Sequence, residues 1–197
     1  MNIAIIKYNA GNIHSIQYAL KRLGYDAMVT DDHEQIKNSD KIIFPGVGNA
    51  YSAMESLKEK GLDQLLISCL QPVLGICVGM QLLCKHSEEN NTTGLGIMDL
   101  SVKKFLPNDN TTKVPHMGWN NLSNMKGPLF EGLINDPFVY YVHSYYVPLA
   151  PETIASTNYI HEYSAVIQKN NFYGVQFHTE KSSSIGDKIL SNFLNIV

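Results

Sequence analysis

The amino-acid sequence predicts an α/β fold with a mostly parallel central sheet flanked by helices and with antiparallel strands in its second half. In the first half, short β-branched runs alternate with segments whose apolar residues recur at helical spacing, which is typical of parallel strands joined by helices. The second half carries short strand-like pieces separated by turn residues. With 197 residues, 44% of them hydrophobic, the chain can bury one sizeable core. We therefore expect residues 1–197 to form a single domain.

The first half contains four predicted strands and three predicted helices. The strands occupy residues 2–8, 27–30, 41–44 and 72–76, and the helices occupy residues 14–23, 51–61 and 79–86. The first helix follows a Gly11-Asn12 turn and stops at Gly24, a residue type that favours the end of a helix. Pro45-Gly46 ends the third strand, because proline and glycine interrupt regular structure. In such sheets, active sites lie at the carboxyl ends of the strands.

The second half contains predicted strands at residues 100–105, 138–147, 153–157, 162–169 and 172–178. A polar loop over residues 87–94 precedes them, and Asn170-Asn171 has the composition of a hairpin turn between the last two. Residues 185–197 have the spacing of a closing helix. We expect these strands to pair antiparallel and to extend or cover the sheet.

Charge and hydropathy exclude several classes of partner. Fifteen Lys plus Arg against eighteen Asp plus Glu give a net charge of −3 with no long basic run, which does not favour nucleic acid or anionic membranes. No apolar stretch approaches the roughly 20 residues of a membrane span, and the N-terminus lacks the features of a signal peptide. The sequence therefore predicts a cytoplasmic protein.

The three cysteines, Cys69, Cys77 and Cys84, cannot all pair with one another, and their spacing is not that of a zinc site. We expect free thiols in a reducing compartment. A free cysteine most often acts as a small buried hydrophobe, and this interpretation applies to Cys69 and Cys84.

Cys77 has a different setting, between Gly75 and Gly79 in LGICVGMQ. It follows the fourth strand and precedes a helix, as the nucleophile does in the G-x-S-x-G turn of serine hydrolases. The glycines would let neighbouring backbone pass this tight, strained turn without Cβ clashes. A helix N-terminus stabilises a thiolate, the nucleophilic form of cysteine. We predict that Cys77 is a nucleophile with its sulfur exposed at the carboxyl edge of the sheet.

A cysteine nucleophile needs a base, and the best candidate is His178 in GVQFHTEKS. Glu180 lies two residues further on, and in extended backbone two such residues point to the same side. Glu180 would then orient one ring nitrogen while the other faces the thiol. An arbitrary His-x-Glu is more often a strand end beside a solvated carboxylate, but the Cys77 turn favours the catalytic interpretation.

The turn that follows the third strand, FPGVG, supplies the third element of the predicted site. Its glycines let backbone N–H groups approach a substrate oxygen, and the amide of Val78 lies next to the nucleophile. Together these amides would form an oxyanion hole, in which one donor is typically worth roughly 2.7–4 kcal/mol of barrier. An ordinary strand-to-helix turn is the alternative.

The motifs PGVG, GICVGMQ and FHTEKS, in this order, resemble the class I (triad-type) glutamine amidotransferases. Three further segments resemble one group of these amidotransferases, the glutaminase subunits of imidazole glycerol phosphate synthases of histidine biosynthesis. They are KVPHMGWN at residues 113–120, YYVHSYY at residues 140–146 and the opening IAIIKYNAGNIHSI. The resemblance runs from Met1 to the terminal helix. It implies the flavodoxin-like fold of this family, with no cofactor and no metal.

The resemblance also implies a role for individual residues. Cys77 would attack the side-chain amide of glutamine, and His178, oriented by Glu180, would protonate the departing ammonia and then activate water. The implied oxyanion positions are Gly46, Val47, Gly48 and Val78. The implied glutamine-binding positions are Gln81, His143, Ser144 and Tyr145. Without the resemblance, Gln81 would be interpreted as an exposed helix residue.

The resemblance to imidazole glycerol phosphate synthase subunits implies that ammonia would pass to a cyclase subunit, a (β/α)8 barrel, which makes imidazole glycerol phosphate and the aminoimidazole carboxamide ribotide. The chain has no Gly-rich phosphate loop of its own, which agrees with the role of one subunit in a heterodimer. The candidate docking residues are Pro115, His116, Met117, Trp119 and Lys181. For Met117 and Trp119, core packing is the alternative.

One position departs from the family pattern, and several functions stay open. Thr179 stands where the pattern usually has proline, so we expect altered local geometry and rate with the three catalytic side chains unchanged. The glutaminase subunits of anthranilate synthase and pyridoxal phosphate synthase share the triad. A non-catalytic glutamine-sensing or scaffold subunit, and a cysteine peptidase, are further alternatives.

Overall fold

The structure, a computed structural model, describes residues 1–9, 12–107, 112–134 and 136–195. The strands are β1 Ile3–Ile6, β2 Ala27–Thr30, β3 Lys41–Phe44, β4 Val73–Ile76, β5 Cys84–Ser87, β6 Thr92–Thr93, β7 Met98–Lys104, β8 His116–Asn121, β9 Phe138–His143, β10 Tyr145–Tyr146, β11 Thr153–Tyr159, β12 His161–Lys169 and β13 Phe172–Val175. The α-helices are α1 Ile13–Arg22, α2 His33–Lys37, α3 Ala50–Glu59, α4 Leu62–Ile67, α5 Val78–Leu83 and α6 Ser183–Asn195. Short 3₁₀ turns cover Glu89–Asn91, Pro128–Phe130 and Thr179–Lys181.

The largest sheet in the described part of the chain has the strand order β11-β12-β13-β4-β3-β1-β2. Strands β2, β1, β3, β4 and β13 are parallel, and β12 pairs antiparallel with both β11 and β13. Every residue of β1, β3, β4 and β13 is buried, as expected for parallel strands covered on both faces. The predicted α/β class, mostly parallel first and antiparallel later, is confirmed.

Strand β13 lies parallel to β4 and next to it, with Phe172 opposite Val73 and Val175 opposite Ile76. It reaches this position through the predicted hairpin, in which Asn170 has a φ of +53°. Because β3 is the other neighbour of β4, the carboxyl ends of β13, β4 and β3 meet at one edge of the sheet. The segments after these three strands are therefore brought together.

The predicted helix over residues 79–86 is wrong in its second half. Helix α5 ends at Leu83, and β5 begins at Cys84, which pairs with Met98 of β7 in a second sheet of order β10-β7-β5-β6. Strand pairing with a distant segment has overridden local helical spacing here. The predicted strand 138–147 also divides at Ser144, because β9 pairs with β8 whereas β10 pairs with β7.

Other boundaries differ in ways that local patterns do not show. Helices α2 and α4 and strand β8 were not predicted, and α4 follows Gly61, which has a φ of +64°. The predicted strand 172–178 ends at Val175. Gly11 and residues 196–197 lie outside the described residues. In the described part of the chain, none of the helices is long and apolar enough to cross a membrane.

Candidate active site

Cys77 forms a strained turn between β4 and α5, with φ +54° and ψ −110°. Its backbone N–H donates to the Val175 carbonyl at 2.8 Å. A Cβ on Gly75 would lie 2.9 Å from the Gly79 carbonyl, and one on Gly79 would lie 2.1 Å from the Phe44 carbonyl oxygen. The predicted need for glycine at both flanking positions is confirmed. Cys77 is buried, with 4% of the residue exposed, so access to its sulfur is through a cavity and the prediction of a sulfur exposed at the sheet edge is wrong.

His178 and Glu180 form a buried pair, with Nδ1 of the ring 2.8 Å from Oε1 of the carboxylate. A 3₁₀ turn over Thr179–Lys181 brings them together, so the extended backbone expected between them is wrong although the contact exists. The amide of Asn12 also donates to Glu180. Thr179 lies between the two residues of this pair, and the predicted effect of threonine in place of proline on geometry and rate stays a prediction. Glu180 is thus positioned to fix the orientation of the imidazole ring.

The His178 ring also interacts electrostatically with the Cys77 side chain. Burial lowers the pKa of His178, but its interactions with Cys77 and Glu180 outweigh this effect and raise the pKa to about 10. The ring is therefore an imidazolium at neutral pH, and its Nδ1 faces the Glu180 carboxylate. This arrangement of sulfur, imidazole and carboxylate has the geometry of a nucleophile, a base and an orienting group.

The predicted oxyanion loop lies against the Cys77 turn. A Cβ on Gly46 would come 2.3 Å from the Gly79 nitrogen, so only glycine permits this approach. The Val78 N–H donates to the Gly46 carbonyl at 3.3 Å, and the hydroxyl of Tyr8 donates to the Pro45 carbonyl. In this conformation the Val78 amide points at the loop, and it can serve an oxyanion only after the loop has moved.

A cavity of about 520 Å³ opens onto Cys77 and His178. Its wall includes these predicted residues: Val47, Gly48, Val78, Gln81, Pro115, His143, Ser144, Tyr145 and Lys181. Gln81 is 3% exposed, so the interpretation of an exposed helix residue is wrong. Its Nε2 donates to the Tyr145 carbonyl and to Gln176 Oε1, both at 3.1 Å.

Sequence reasoning missed three residues near this cavity: Asn12, Glu89 and Gln176. Glu89 is the acidic side chain of the cavity wall in the described part of the chain, and its Oε2 accepts from the Ala50 N–H at 2.7 Å. Burial raises the pKa of Glu89, and the hydrogen bond from Ala50 opposes this. In the sequence Glu89 was one of several polar residues in a loop, with no pattern to distinguish it.

The predicted docking residues of β8 fall into an exposed group and a buried one, because neighbouring residues of a strand face opposite sides. Met117 and Trp119 are 63% and 53% exposed, so the alternative of core packing is wrong for both. Pro115 and Lys181 are exposed and lie at the cavity. His116 points to the opposite face of β8 and is buried, because successive strand residues face opposite sides. The prediction that His116 belongs to the docking face is therefore wrong.

Comparison with known proteins assigns the family. The family "Glutamine amidotransferase class-I" matches residues 4–197. The chain belongs to the class I glutamine amidotransferases.

Full-length relatives of this amidotransferase have a common name. The chain is 56% identical over 196 residues to imidazole glycerol phosphate synthase subunit HisH of Bacteroides fragilis, with 100% of each chain covered. It is 44% identical over 198 residues to the subunit of the same name in Escherichia coli K12, again with 100% of each covered.

Solved structures agree with the fold of this amidotransferase. One glutamine amidotransferase is 16% identical with a TM-score of 0.76, covering 98% of this chain and 97% of that chain. Another, from Thermotoga maritima, is 14% identical with a TM-score of 0.66, covering 99% and 83%. At these identities the likeness concerns the fold alone.

Behind the amidotransferase cavity lies a cluster of buried histidines and tyrosines. The His116 ring stacks between Tyr159 and Tyr141, at centroid distances of 4.0 and 4.8 Å. Its Nδ1 lies 3.3 Å from His143 Nε2 and 3.2 Å from the Tyr163 hydroxyl. Burial lowers the pKa of His116 to about 4. Burial also lowers the pKa of His143, to about 3, against the opposing effect of its hydrogen bond to the Tyr145 carbonyl. Both rings are therefore neutral in the folded amidotransferase.

These neutral histidines predict acid sensitivity of the amidotransferase. Because the unfolded chain binds protons at histidine near pH 6.5 and the folded chain does not, the free energy of unfolding falls as the pH drops from about 6.5 towards 4. Each histidine contributes a slope of up to about 1.4 kcal/mol per pH unit. We expect His116→Gln to reduce this slope by about one histidine's contribution. Urea denaturation at several pH values measures it, and an unchanged slope in a folded variant would contradict the prediction.

Proposed function

We propose that this protein is the glutaminase subunit of an imidazole glycerol phosphate synthase and hydrolyses L-glutamine to glutamate and ammonia. The observation that supports this most is the arrangement of Cys77, His178 and Glu180 at one cavity, in a chain that matches subunit HisH along its full length. The same full-length identity argues against the subunits of anthranilate synthase and pyridoxal phosphate synthase. The presence of all three triad residues argues against a non-catalytic scaffold.

Cys77 is the nucleophile in the proposed reaction. Its thiolate attacks the side-chain carbonyl carbon of glutamine, and a C–S bond forms while the carbonyl oxygen takes negative charge. As the tetrahedral intermediate collapses, the C–N bond breaks and His178 gives its proton to the departing nitrogen. Ammonia leaves, and the γ-glutamyl group stays on Cys77 as a thioester.

His178 acts as a base in the second step. Having lost its proton to ammonia, it takes a proton from a water molecule, and the resulting hydroxide attacks the thioester carbon. The C–S bond breaks, glutamate leaves and the Cys77 thiolate returns. Glu180 keeps the ring in one orientation through both steps, since its carboxylate accepts from Nδ1 at 2.8 Å.

The proposed oxyanion donors are the Val78 amide and a backbone amide of residues 46–48. In the described conformation the Val78 N–H is bonded to the Gly46 carbonyl, so the hole is incomplete until this loop shifts. Gly48, with a φ of +88° and open space at its Cα, gives the loop the conformational freedom that such a shift needs. The isolated subunit is therefore a slow enzyme.

The cavity wall supplies groups for both ends of glutamine. We propose that Glu89 pairs with the α-ammonium group, because it provides the negative charge of the wall in the described residues. Gln81 and the segment formed by His143, Ser144 and Tyr145 hold the rest of the substrate. The His143 ring supports this segment through a 2.7 Å hydrogen bond to the Tyr145 carbonyl.

The proposed partner is the cyclase subunit, a (β/α)8 barrel that receives ammonia and makes imidazole glycerol phosphate and the aminoimidazole carboxamide ribotide. On this chain, the proposed docking face for the cyclase subunit comprises Pro115, Met117, Trp119 and Lys181. Since Pro115 and Lys181 also border the catalytic cavity, a partner on this face would cover the exit of ammonia. We further propose that residues 1–197 form one glutaminase domain, because the described core is continuous across the sheets.

The partner is expected to control the rate. We expect the purified chain alone to hydrolyse glutamine slowly, and the cyclase subunit with its ribulosyl substrate to raise kcat by about 10²-fold or more, as removal of one oxyanion donor typically lowers it. Glutamate release is measured with the chain alone, with the cyclase subunit, and with both the cyclase subunit and the substrate. A full rate from the chain alone would contradict the proposal.

The docking face is tested with a substitution at Trp119 and a control substitution at Leu70. Trp119→Ala should weaken the activation while leaving the slow rate of the lone chain unchanged, because Trp119 does not line the catalytic cavity. Leu70, which is 90% exposed and precedes β4 at the amino edge of the sheet, is the matched apolar position. Leu70→Ala should leave both the activation and the lone rate unchanged.

A further inference from the structure

Gln176 is a buried amide whose side chain reaches the Cys77 sulfur. It is 0% exposed, and its Nε2 lies 3.8 Å from Sγ. Its Oε1 accepts from Gln81 Nε2 at 3.1 Å, and the same nitrogen of Gln81 donates to the Tyr145 carbonyl at 3.1 Å. A continuous chain of hydrogen bonds therefore runs from the glutamine-binding wall to the nucleophile.

The backbone carbonyl of Tyr145 fixes the direction of this chain. A carbonyl oxygen can only accept, so Gln81 must present its NH₂ group there. The same NH₂ group also donates to Gln176, so the side-chain oxygen of Gln176 must be the acceptor. Its own NH₂ group is then left facing the sulfur, which makes Gln176 a donor to Cys77 and not an acceptor.

Strand pairing holds Gln176 beside Cys77. The parallel register of β13 and β4 places Val175 opposite Ile76, and Gln176 and Cys77 directly follow these two paired residues. The Cys77 N–H donates to the Val175 carbonyl at 2.8 Å, and the Gln176 N–H donates to the Ala165 carbonyl at 2.9 Å. Both backbones are fixed, so the approach of the amide to the sulfur is built into the sheet.

We propose that Gln176 is a further catalytic residue, which donates a hydrogen bond to the Cys77 sulfur and stabilises it as a thiolate. A neutral thiol is a weak acceptor, whereas a buried NH₂ group needs a good one. A thiolate satisfies the amide, and the amide in turn favours the thiolate. The inference rests on the proposed function, in which this thiolate attacks glutamine.

Three titratable groups interact electrostatically with this sulfur: His178, Tyr8 and Tyr163. His178 is charged at neutral pH, since its pKa is raised to about 10. Burial raises the pKa of Tyr8 and of Tyr163 far above the neutral range, so both phenols stay uncharged. Gln176 therefore adds a neutral donor whose strength does not change with pH, beside one charged group.

Two substitutions of Gln176 distinguish hydrogen-bond donation to the Cys77 sulfur from a role of the side chain in packing. Gln176→Glu keeps the size and an oxygen for Gln81 but places an acceptor at the sulfur, whereas Gln176→Met removes both polar groups at similar volume. The matched control is Gln168→Met on β12, whose Nε2 donates to the Tyr173 hydroxyl at 3.1 Å away from the cavity. Alkylation of the full chain by iodoacetamide is followed against pH. Burial raises the pKa of Cys69 to about 11 and of Cys84 to about 12, so these thiols do not compete near neutral pH.

We expect the pH midpoint of Cys77 alkylation to rise by about one unit or more in both Gln176 variants, and to stay unchanged in the control. With glutamine and the cyclase subunit, Gln176→Glu should lower kcat by about tenfold or more and change KM less, because Gln81 keeps its partner. A midpoint equal to that of the wild type in either folded variant would overturn the inference. These alkylation results do not depend on glutamine turnover, so failure of the proposed function would be seen separately in the wild-type assay.

If neither variant folds, a nuclear magnetic resonance titration of the wild-type protein tests the inference. The side-chain amide proton resonances of Gln176 must then shift with the same pH midpoint as the alkylation of Cys77. Resonances that do not move through this midpoint would overturn the inference.

Discussion

Cys77→Ala should lower glutamine hydrolysis by more than about 10³-fold, because no thioester can form without the sulfur. The fold should persist, since alanine keeps the Cβ that already occupies this φ of +54° and only one buried atom is lost. Association with the cyclase subunit should also persist, because the 4% exposed thiol does not reach the docking face. Glutamate release by the complex and its size by gel filtration measure the two effects.

The matched control for this variant is Cys69→Ala. Cys69 is also a buried free thiol, whose sulfur lies 3.3 Å from the Leu65 carbonyl, but it is outside the cavity wall. We expect full activity in this variant. Glutaminase activity in Cys77→Ala above that of a sample without enzyme would refute the assignment of the nucleophile.

Glu180→Gln should lower kcat by up to about 10⁴-fold, the loss seen when the orienting carboxylate of a triad becomes an amide. The neutral amide no longer stabilises the imidazolium. Since Glu180 is one of the groups that raise the pKa of His178 to about 10, we also expect that pKa to fall. Steady-state kinetics of the complex and nuclear magnetic resonance titration of the His178 ring measure the two changes.

Glu162→Gln is the corresponding control. The Glu162 carboxylate accepts from Ser156 at 2.6 Å and from Asn124 at 3.0 Å, so it loses comparable hydrogen bonds at a site away from the cavity. We expect wild-type kcat from it. If Glu180→Gln kept wild-type kcat, the proposed orienting role of Glu180 would be wrong.

The buried surroundings of the triad explain why single side chains are expected to have such large effects. Oε1 of Glu180 serves both His178 and Asn12, whereas Oε2 has no hydrogen-bond partner among the described residues. A buried charge with so few partners depends on each of them. The site therefore has little capacity to compensate for a lost group.

Local patterns in the sequence were sufficient to indicate the proposed catalytic groups. The Cys77 turn was predictable because glycine on both sides of a cysteine, between a strand and a helix, reflects a steric need confined to a few residues. The contact between His178 and Glu180 was predicted correctly from a wrong backbone, since both an extended strand and a 3₁₀ turn can bring side chains two residues apart together. A separation of two residues therefore predicts that the side chains of His178 and Glu180 meet, but it does not predict the backbone conformation between them.

Long-range features of the site were not predictable in this way. The sequence does not show that β13 lies parallel to β4, although this places His178 and Gln176 beside Cys77. Strand β8 was missed, and with it the alternation that buries His116 and exposes Trp119. The burial of Gln81 was missed for the same reason, since its partners lie far away in the chain, at Tyr145 and Gln176.

The sequence by itself thus determined the α/β class and the family, and it indicated Cys77 as the proposed nucleophile and His178 with Glu180 as the proposed base and its carboxylate, because each depends on residues close together in the chain. Only the tertiary structure decided the order of the strands, the network from Tyr145 through Gln81 and Gln176 to the thiol, and the Val78 amide that is bonded to the Gly46 carbonyl. The physical reason is that burial and strand pairing join segments about a hundred residues apart, and local periodicity carries no information about which segments will meet.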